Sequence, residues 1–381
     1  MKSKVCSNNN CPIGKSVTSF NIEETNCLYC NSPLVLKRPD FNLSIDELLQ
    51  YEEYTNTIFE DYNSEEYSLA DFSKFYSYIG NEWYNRENLQ KALFYSKKAL
   101  DICYCNPSIS HHDIETLQSN LGNIYTKLGN YEKALDHFKK CLEIQISIYN
   151  KDNIFLGWTY KDLADTYLAL NDFGASIDNY KLAIEICESA DHNDYNGYIY
   201  LYNCLGDVLI KNSNPIEAIP VFEKGISLTK QYFSETNPYV GVFSSKLGDI
   251  YFRIQNFSKA VYYFEIELSL ALPVFEDKDL LLLYWKIGNC YFSLADYTKA
   301  INYYLTGFKN SNNKFGGFPT NIARCLEAKN NLHEALKYYR LAAEIRINEL
   351  GIESMETIES VNKHNLLAIT LGEKCIDLGD C

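Results

Sequence analysis

The sequence predicts an all-α fold in which pairs of helices stack into a solenoid. Two observations lead to this fold class: a small residue recurs at regular intervals inside helical apolar patterns, and a second small residue follows it twelve positions later. A turn-forming stretch, such as Gly129 and Asn130, lies between the two. One helix pair cannot bury its apolar face alone, so units of this kind must stack on one another.

The first helix of each predicted pair carries the first small residue. These residues are Gly80, Gly122, Ala164, Gly206, Gly248, Gly288 and Ala323, spaced by 42 residues four times and then by 40 and 35. Glycine inside a helix costs about 1 kcal/mol relative to alanine. Its recurrence at this position therefore indicates that tertiary packing outweighs helix propensity.

The second helix of each pair carries the other small residue. These are Ala92, Ala134, Ser176, Ala218, Ala260, Ala300 and Ala335. An aromatic residue follows four positions later in every unit but the first, where Ser96 stands: Phe138, Tyr180, Phe222, Phe264, Tyr304 and Tyr339. We expect the small residues to let the two helices cross closely and the rings to fill the space beside the crossing.

The spacing of Gly122, Tyr125, Ala134 and Phe138 resembles the tetratricopeptide repeat. The units are longer than is usual for that repeat, and they look like the variety found in kinesin light chain and in bacterial regulatory proteins. The resemblance covers seven units, which we place at residues 71–348. It implies a right-handed superhelix with a concave groove lined by the first helix of each pair.

The segments on either side of the repeats are expected to cap them. Residues 39–70 are interpreted as an acidic N-terminal capping helix region: Ser44 and Glu47 form a capping box, and Leu48, Leu49 and Tyr51 give the helix an apolar side. There are ten acidic residues and no lysine or arginine between Asp40 and Asp71. The alternative is an acidic arm for a basic partner or for the protein's own groove. Residues 349–381 are interpreted as a C-terminal capping helix and tail.

Residues 1–38 are predicted to form a small metal-binding module. The four cysteines Cys6, Cys11, Cys27 and Cys30 form two pairs whose spacing suits one tetrahedral Zn²⁺, and the stretch resembles a zinc ribbon. Four cysteine ligands leave no position for a substrate water, so the zinc would be structural. The alternatives are free thiols or, less favoured, a redox pair at Cys27 and Cys30. The module is locally basic and leaves some room for nucleic-acid contact, although protein docking is favoured.

A row of short polar residues directly follows the first small residue of each unit. Its members are Asn81, Asn123, Asp165, Asp207, Asp249 and Asn289, with Arg324 in the last unit. The resemblance implies that this position faces the groove and that asparagines there hold the backbone of an extended peptide. The alternative is that these residues only solvate the helix or contact the neighbouring helix.

Together with two further groove candidates, the row gives the predicted protein- or peptide-binding residues. They are Asn81, Asn123, Lys161, Asp165, Asp207, Asp249, Trp285 and Asn289. The aspartates favour a basic ligand or one that carries an amine.

Composition and motifs disfavour several classes of function. The net charge of −15 disfavours a general nucleic-acid or anionic-membrane binder, and no apolar run is long enough to span a bilayer. Phosphate loops, nucleophile elbows and paired-carboxylate signatures are not evident. The histidine pair before Asp113 is expected to lie at a helix start. The scattered cysteines favour reduced thiols and a cytoplasmic location.

These observations favour a non-enzymatic scaffold or adaptor that binds a protein or extended peptide in its groove and carries a structural zinc module. The alternative is a peptide-sensing regulator of a separate effector protein, of the bacterial signalling or defence type. An enzyme is a distant third. Oligomeric state does not follow from the sequence.

Overall fold

The computed structural model describes residues 4–6, 34–36, 44–60, 68–106, 109–190 and 194–377. The chain divides into two compact units, residues 1–193 and residues 194–381. We refer to them as the N-terminal and C-terminal units and describe each by itself.

The N-terminal unit contains two short strands, β1 (Lys4–Cys6) and β2 (Leu34–Leu36), which pair antiparallel with Cys6 opposite Leu34. A single helix α1 (Ile45–Glu60) precedes three helix pairs. The pairs are α2 (Leu69–Asn85) with α3 (Leu89–Cys105), α4 (His111–Lys127) with α5 (Tyr131–Ile148), and α6 (Ile154–Ala169) with α7 (Phe173–Ser189).

The C-terminal unit contains four helix pairs and a final helix. The pairs are α8 (Tyr195–Lys211) with α9 (Pro215–Tyr232), α10 (Pro238–Arg253) with α11 (Phe257–Ala271), α12 (Leu281–Ser293) with α13 (Tyr297–Asn310), and α14 (Gly317–Ala328) with α15 (Leu332–Leu350). A short 3-10 helix, Asp277–Leu280, precedes α12, and α16 (Met355–Leu371) follows α15. The pairs in the two units thus run from Leu69 to Leu350, slightly beyond the predicted bounds of 71–348.

The turn inside each pair has one conformation throughout. The residue seven positions after the first small residue has a positive φ in every pair, yet only Gly129 is a glycine: Glu87, Gly129, Asn171, Ser213, Gln255, Ala295 and Asn330. An asparagine or aspartate follows directly and begins the second helix as its N-cap. Asn130, for example, accepts a hydrogen bond from the Lys133 backbone N–H. The cap thus satisfies one of the free N–H groups at the start of the helix.

The recurring glycines make room for aromatic rings. A Cβ added at Gly248 would lie 2.5 Å from Phe264 Cδ1, and one at Gly122 would lie 2.5 Å from Phe138 Cε1. The rings therefore lie directly against the glycines rather than beside the helix crossing, which corrects the expectation from the sequence. The reason is geometric: the aromatic side chain extends from the second helix onto the first, and at Gly122 and Gly248 a Cβ would overlap the ring.

The first pair is the exception, because its two helices themselves cross closely, as the sequence predicts. Ser96 replaces the aromatic residue there, and a Cβ added at Gly80 would lie 2.6 Å from Ser96 Oγ and 3.2 Å from its backbone nitrogen. In this pair the glycine allows the two helix backbones themselves to approach.

Helix α1 packs against the first pair through apolar and polar contacts. Leu48 is fully buried in the core that α1 shares with α2 and α3. Glu52 accepts hydrogen bonds from Trp83 Nε1 at 2.9 Å and from the Tyr95 hydroxyl at 2.6 Å, and it is paired with Lys91 at 2.9 Å. One acidic residue of this segment, Glu52, therefore helps to attach α1 to the first helix pair.

Helix α16 packs against α15 at the other end of the repeats. Leu367 and Ala368 are buried on its inner face, whereas Leu366 and Ile369 are exposed on its outer face. Within the described residues, none of the helices is both long enough and apolar enough to cross a membrane.

Candidate functional site

The predicted binding residues lie on the first helix of successive pairs. We call the residues that follow the first small position the polar row. In the N-terminal unit it consists of Asn81 on α2, Asn123 on α4 and Asp165 on α6. In the C-terminal unit it consists of Asp207 on α8, Asp249 on α10 and Asn289 on α12. All six side chains are half-buried, which is neither a core position nor a fully solvated one.

In the N-terminal unit, Asp165 is bound by residues of its own helix pair. Lys161, one turn earlier on α6, lies 2.9 Å from the Asp165 carboxylate and 3.2 Å from that of Asp162. The Tyr180 hydroxyl, on the second helix of the pair, also donates to Asp165. Burial opposes the charged form of Lys161, but the adjacent carboxylates outweigh it and raise the pKa of this lysine. Lys161 therefore remains a cation, although three quarters of its side chain are covered.

In the C-terminal unit, lysines from the next first helix bind the row. Lys246 on α10 forms an ion pair with Asp207 and donates to Asn203 Oδ1 at 2.8 Å. Lys286 on α12 lies 2.5 Å from Asp249 Oδ1. Each of these contacts joins two successive pairs, and each leaves part of the carboxylate open, since Asp207 is 40% and Asp249 44% exposed.

Sequence reasoning did not identify Lys246 and Lys286. The signal that could have found them is their shared position, two residues before the packing glycines Gly248 and Gly288. Because they occupy the same position in successive units, both lysines lie on the same face of their helices. Each precedes a member of the polar row, Asp249 or Asn289, by three residues.

The last member of the row is bound by a ring hydroxyl. The Tyr304 hydroxyl donates to Asn289 Oδ1 at 2.6 Å, as Tyr180 does to Asp165. Asp207 and Asp249, by contrast, belong to pairs whose ring is phenylalanine, which has no hydroxyl to donate. The side-chain amide of Asn289 can still donate two hydrogen bonds of its own.

The aromatic candidates lie close to the later part of the row. Trp285 is half-buried on α12, one turn before Asn289. The Arg324 guanidinium lies 4.8 Å from the centre of the Phe292 ring. The helix that carries Asn289 therefore also carries two aromatic side chains, Trp285 and Phe292.

The predicted zinc ligands mostly fall outside the described residues. Cys6 ends strand β1, whereas Cys11, Cys27 and Cys30 lie outside the residues that the structure describes. The pairing of β1 with β2 places Cys6, the first of the four cysteines, opposite Leu34, which follows the last of them, Cys30, by four residues in the chain. Among the described residues there is no cluster of three or more histidine, cysteine or acidic side chains that could hold a metal ion.

The histidine pair before Asp113 and two of the scattered cysteines, Cys141 and Cys290, lie in structural surroundings. His111 begins α4, and Ser110 caps this helix by accepting from the Asp113 backbone N–H. Burial raises the pKa of Cys141 and of Cys290 to about 12. Both thiols therefore stay protonated near neutral pH, where only a thiolate would be nucleophilic.

Family comparisons support the repeat assignment. A sequence model described as tetratricopeptide repeat matches residues 113–189, and a second with the same description matches residues 282–313 and 320–346. None of the curated proteins compared with this sequence matches it.

Several solved structures are similar to the chain. The C-terminal part of a TPR repeat-containing protein from Cytophaga hutchinsonii is 16% identical over 66% of this chain and 87% of that chain, with a TM-score of 0.48. A putative kinesin light chain from Podosopora anserina is 13% identical over 53% of this chain and 96% of that chain, with a TM-score of 0.47. The TPR2AB-domain:pHSP90 complex of yeast Sti1 is 14% identical over 80% of this chain and 99% of that chain, with a TM-score of 0.32.

The matched segments include the helix pairs α4–α5 and α6–α7 of the N-terminal unit and the pairs from α12 to α15 of the C-terminal unit. The helix pairs in these matched segments are therefore tetratricopeptide repeats.

Proposed function

We propose that this protein is a non-enzymatic scaffold or adaptor whose polar row binds an extended peptide or a segment of a partner protein. The observation that carries the proposal is the row itself. Residues at one position of successive first helices are half-buried and polar, and four of the six are held in place by a lysine or a tyrosine hydroxyl. Side chains ordered in this way lose less conformational entropy when a ligand binds.

The chemistry of the row suits a peptide backbone. An extended peptide presents one N–H and one C=O per residue, apart from proline. Carboxylates such as Asp207 and Asp249 accept from N–H groups, and Lys246 and Lys286 can donate to carbonyls. Each ion pair therefore offers an acceptor and a donor side by side.

The same pairing bears on the charge of the ligand. Lys246 and Lys286 balance the charges of Asp207 and Asp249, so the row in the C-terminal unit carries little uncompensated charge. We propose that the row holds the backbone of the ligand, and that selection for a basic ligand depends on carboxylates elsewhere on the repeats.

The test separates binding from stability. The partner is first captured from the native host with the full-length protein and identified by mass spectrometry. Asn123→Ala and Asp207→Ala are then compared with the wild type in melting temperature and in affinity for that partner. A captured protein supports the scaffold, whereas a captured short peptide supports a peptide-sensing regulator.

We expect the affinity to fall by about 1–3 kcal/mol where a charged hydrogen bond is lost. The stability should change by about 0.5 kcal/mol or less for Asn123→Ala and by at most about 1 kcal/mol for Asp207→Ala, because partly exposed ion pairs contribute little. A lower melting temperature with unchanged affinity would contradict the proposal and indicate a purely structural row.

We further propose one structural zinc ion per chain, bound by Cys6, Cys11, Cys27 and Cys30. The support comes from the spacing of the cysteines and from the β1–β2 pairing, which brings together the two ends of the segment that contains them. Zinc bound in this way would supply the folding free energy that so short a segment lacks.

Metal analysis of the purified protein should find about one zinc per chain. Cys27→Ser should remove it and leave the repeats helical, while the control Cys375→Ser, which changes an exposed cysteine, should retain it. Protein purified without metal but with unchanged protease resistance of its first 38 residues would contradict this assignment.

A further inference from the structure

The segment after α16 folds back onto this helix. Helix α16 ends at Leu371, and Gly372 follows with a φ of 72°, in the left-handed conformation. The Glu373 backbone N–H then donates to the Ala368 carbonyl at 2.8 Å, so the chain reverses its direction. Residues 372–377, which we call the tail, therefore return along α16.

Asn365 of α16 binds the tail through its backbone. The Ile376 N–H donates to Asn365 Oδ1 at 2.7 Å, and Asn365 Nδ2 donates to the Ile376 carbonyl at 2.8 Å. One side-chain amide thus pairs with both backbone groups of one residue. His364 Nδ1 lies 2.9 Å from the same Oδ1 atom and, in the tautomer with a proton on Nδ1, donates to it as well. Because His364 is only 2% exposed, this contact helps to hold the amide in place.

The tail adds one side chain to this backbone contact. Ile376 is partly buried, whereas every other residue of the tail is exposed. The site therefore combines recognition of an extended backbone, which depends little on sequence, with cover for one aliphatic side chain.

The same position binds a different group in the second unit's first helix pair. Asn365 stands three residues before the small residue Ala368, just as Asn203 on α8 stands three residues before Gly206. Asn203 accepts a hydrogen bond from Lys246 of the next pair. Among the described residues no helix follows α16, and the backbone of the tail occupies the asparagine there instead.

We propose that Asn365 is the centre of a second peptide-binding site and that the tail is its built-in competitor. The ligand is an extended segment of a partner protein with an aliphatic residue at the position of Ile376. Proline is excluded there, because it has no N–H to donate. The residue after Ala368 is the exposed Ile369, so the polar row does not continue onto α16 and the proposal goes beyond the proposed function.

The tail closes the site by proximity. A segment on a short linker competes with an effective concentration of about the millimolar range. A partner segment must therefore bind more tightly than the tail, or be presented at high local concentration, before it displaces the tail.

The experiment uses the whole chain and a labelled peptide, acetyl-Glu-Lys-Ser-Ile-Asp-amide. This is the tail sequence from residue 373 to 377 with serine in place of Cys375. The matched control peptide contains N-methylisoleucine, which lacks only the N–H that donates to Asn365. Titrations compare the wild type, Ile376→Pro, and Ile376→Pro combined with either Asn365→Ala or Asn362→Ala. Asn362 is an exposed asparagine on the same helix.

Ile376→Pro removes the N–H of the tail and should leave the site open. We expect it to bind the peptide with a Kd of about 1 mM or lower, since the tail can close the site only if the contact is at least this tight. The wild type should bind about tenfold more weakly, because the tail occupies the site for most of the time. Adding Asn365→Ala should abolish binding, whereas adding Asn362→Ala should not change it.

The N-methyl peptide should bind Ile376→Pro at least about tenfold more weakly than the unmodified peptide. This comparison uses one protein variant, so it does not depend on the folding of Asn365→Ala.

Four results would overturn the proposal: equal affinity of the wild type and Ile376→Pro, binding that survives Asn365→Ala, equal affinity for the two peptides, or no binding to Ile376→Pro at about 10 mM peptide. The polar row is tested separately with Asp207→Ala and the host partner. Failure of the row therefore leaves the site at Asn365 in place, and failure of this site leaves the row in place.

Discussion

The pair α6–α7 of the N-terminal unit and the pair α8–α9 of the C-terminal unit bind the aspartate of their polar row in different ways. In the first, Ala164 occupies the first small position and Tyr180 the ring position, and both Tyr180 and Lys161 bind Asp165. In the second, Gly206 stands against Phe222, and Lys246 from α10 binds Asp207. The polar row has an aspartate in both pairs, but its partners come from within the pair in one and from the next pair in the other.

The comparison shows that the aromatic ring influences how neighbouring pairs are joined. A tyrosine at this position can donate a hydrogen bond to the polar-row residue of its own pair, and Tyr304 does so for Asn289 as well. A phenylalanine cannot, and at Asp207 and Asp249 a lysine of the following pair contacts the carboxylate instead. At Asp207 and Asp249 the polar row therefore also connects successive helix pairs.

The largest expected effect tests the ring-on-glycine packing. Gly248→Leu should destabilise the protein by about 1–3 kcal/mol or more, because the new side chain would overlap the Phe264 ring. The measurement is the melting temperature of the variant against that of the wild type.

Gly241→Ala is the matched control on the same helix. A Cβ there would make only ordinary contact, with Leu270 Cδ1 at 3.7 Å. Since alanine favours the helix, this variant should keep or raise the stability, by up to about 1 kcal/mol. An unchanged or raised melting temperature for Gly248→Leu would refute the packing argument.

A smaller effect tests the role of the ring hydroxyl. Tyr180→Phe should lower the free energy of unfolding by about 1–2 kcal/mol, because Asp165 loses a hydrogen bond to its charged carboxylate. The free energy follows from denaturant unfolding monitored by circular dichroism.

The reciprocal change, Phe222→Tyr, sharpens the same comparison. The added hydroxyl should reach Asp207 and reduce its dependence on Lys246, so Lys246→Met should cost less in Phe222→Tyr than in the wild type. Equal cost in both backgrounds would show that the ring does not influence the choice of partner.

The smallest effect concerns the ion pair between successive helix pairs. A double-mutant cycle of Asp207→Asn with Lys246→Met should give a coupling energy of about 0.2–1 kcal/mol. The coupling should fall as salt is added, because exposed charges are screened over about 8 Å at physiological ionic strength. A cycle with the exposed Lys224 in place of Lys246 should give no coupling, and an equal coupling in the two cycles would contradict the assigned pair.

Much of the repeat architecture could be predicted from the sequence because it depends on local rules. The helical apolar pattern around Leu121 and Tyr125 places both on one face, and both are buried. The turn after α4 follows from Gly129, which has a positive φ, and from Asn130, which caps α5. The same asparagine or aspartate position marks the start of the second helix in the other pairs.

The partners of the polar row could not be predicted in this way. The pattern places Asp207 and Lys246 on their helices, but they are far apart in the chain, and their contact depends on how α8 and α10 pack. The same holds for Glu267 on α11, whose buried Oε2 atom has no hydrogen-bond partner. Spacing alone gives no sign that such an oxygen lacks a donor.

The sequence by itself determined the helix pairs, their turns and caps, and the positions of the small residues, because these follow from helix periodicity and backbone preferences within one unit. The tertiary structure alone decided that Phe264 lies directly against Gly248, that Lys286 binds Asp249, and that Glu267 and Asp279 line one cavity together with Phe275 and Leu282. The physical reason is that contacts between side chains on different helices depend on distances of a few ångströms, which are set only when the helices pack.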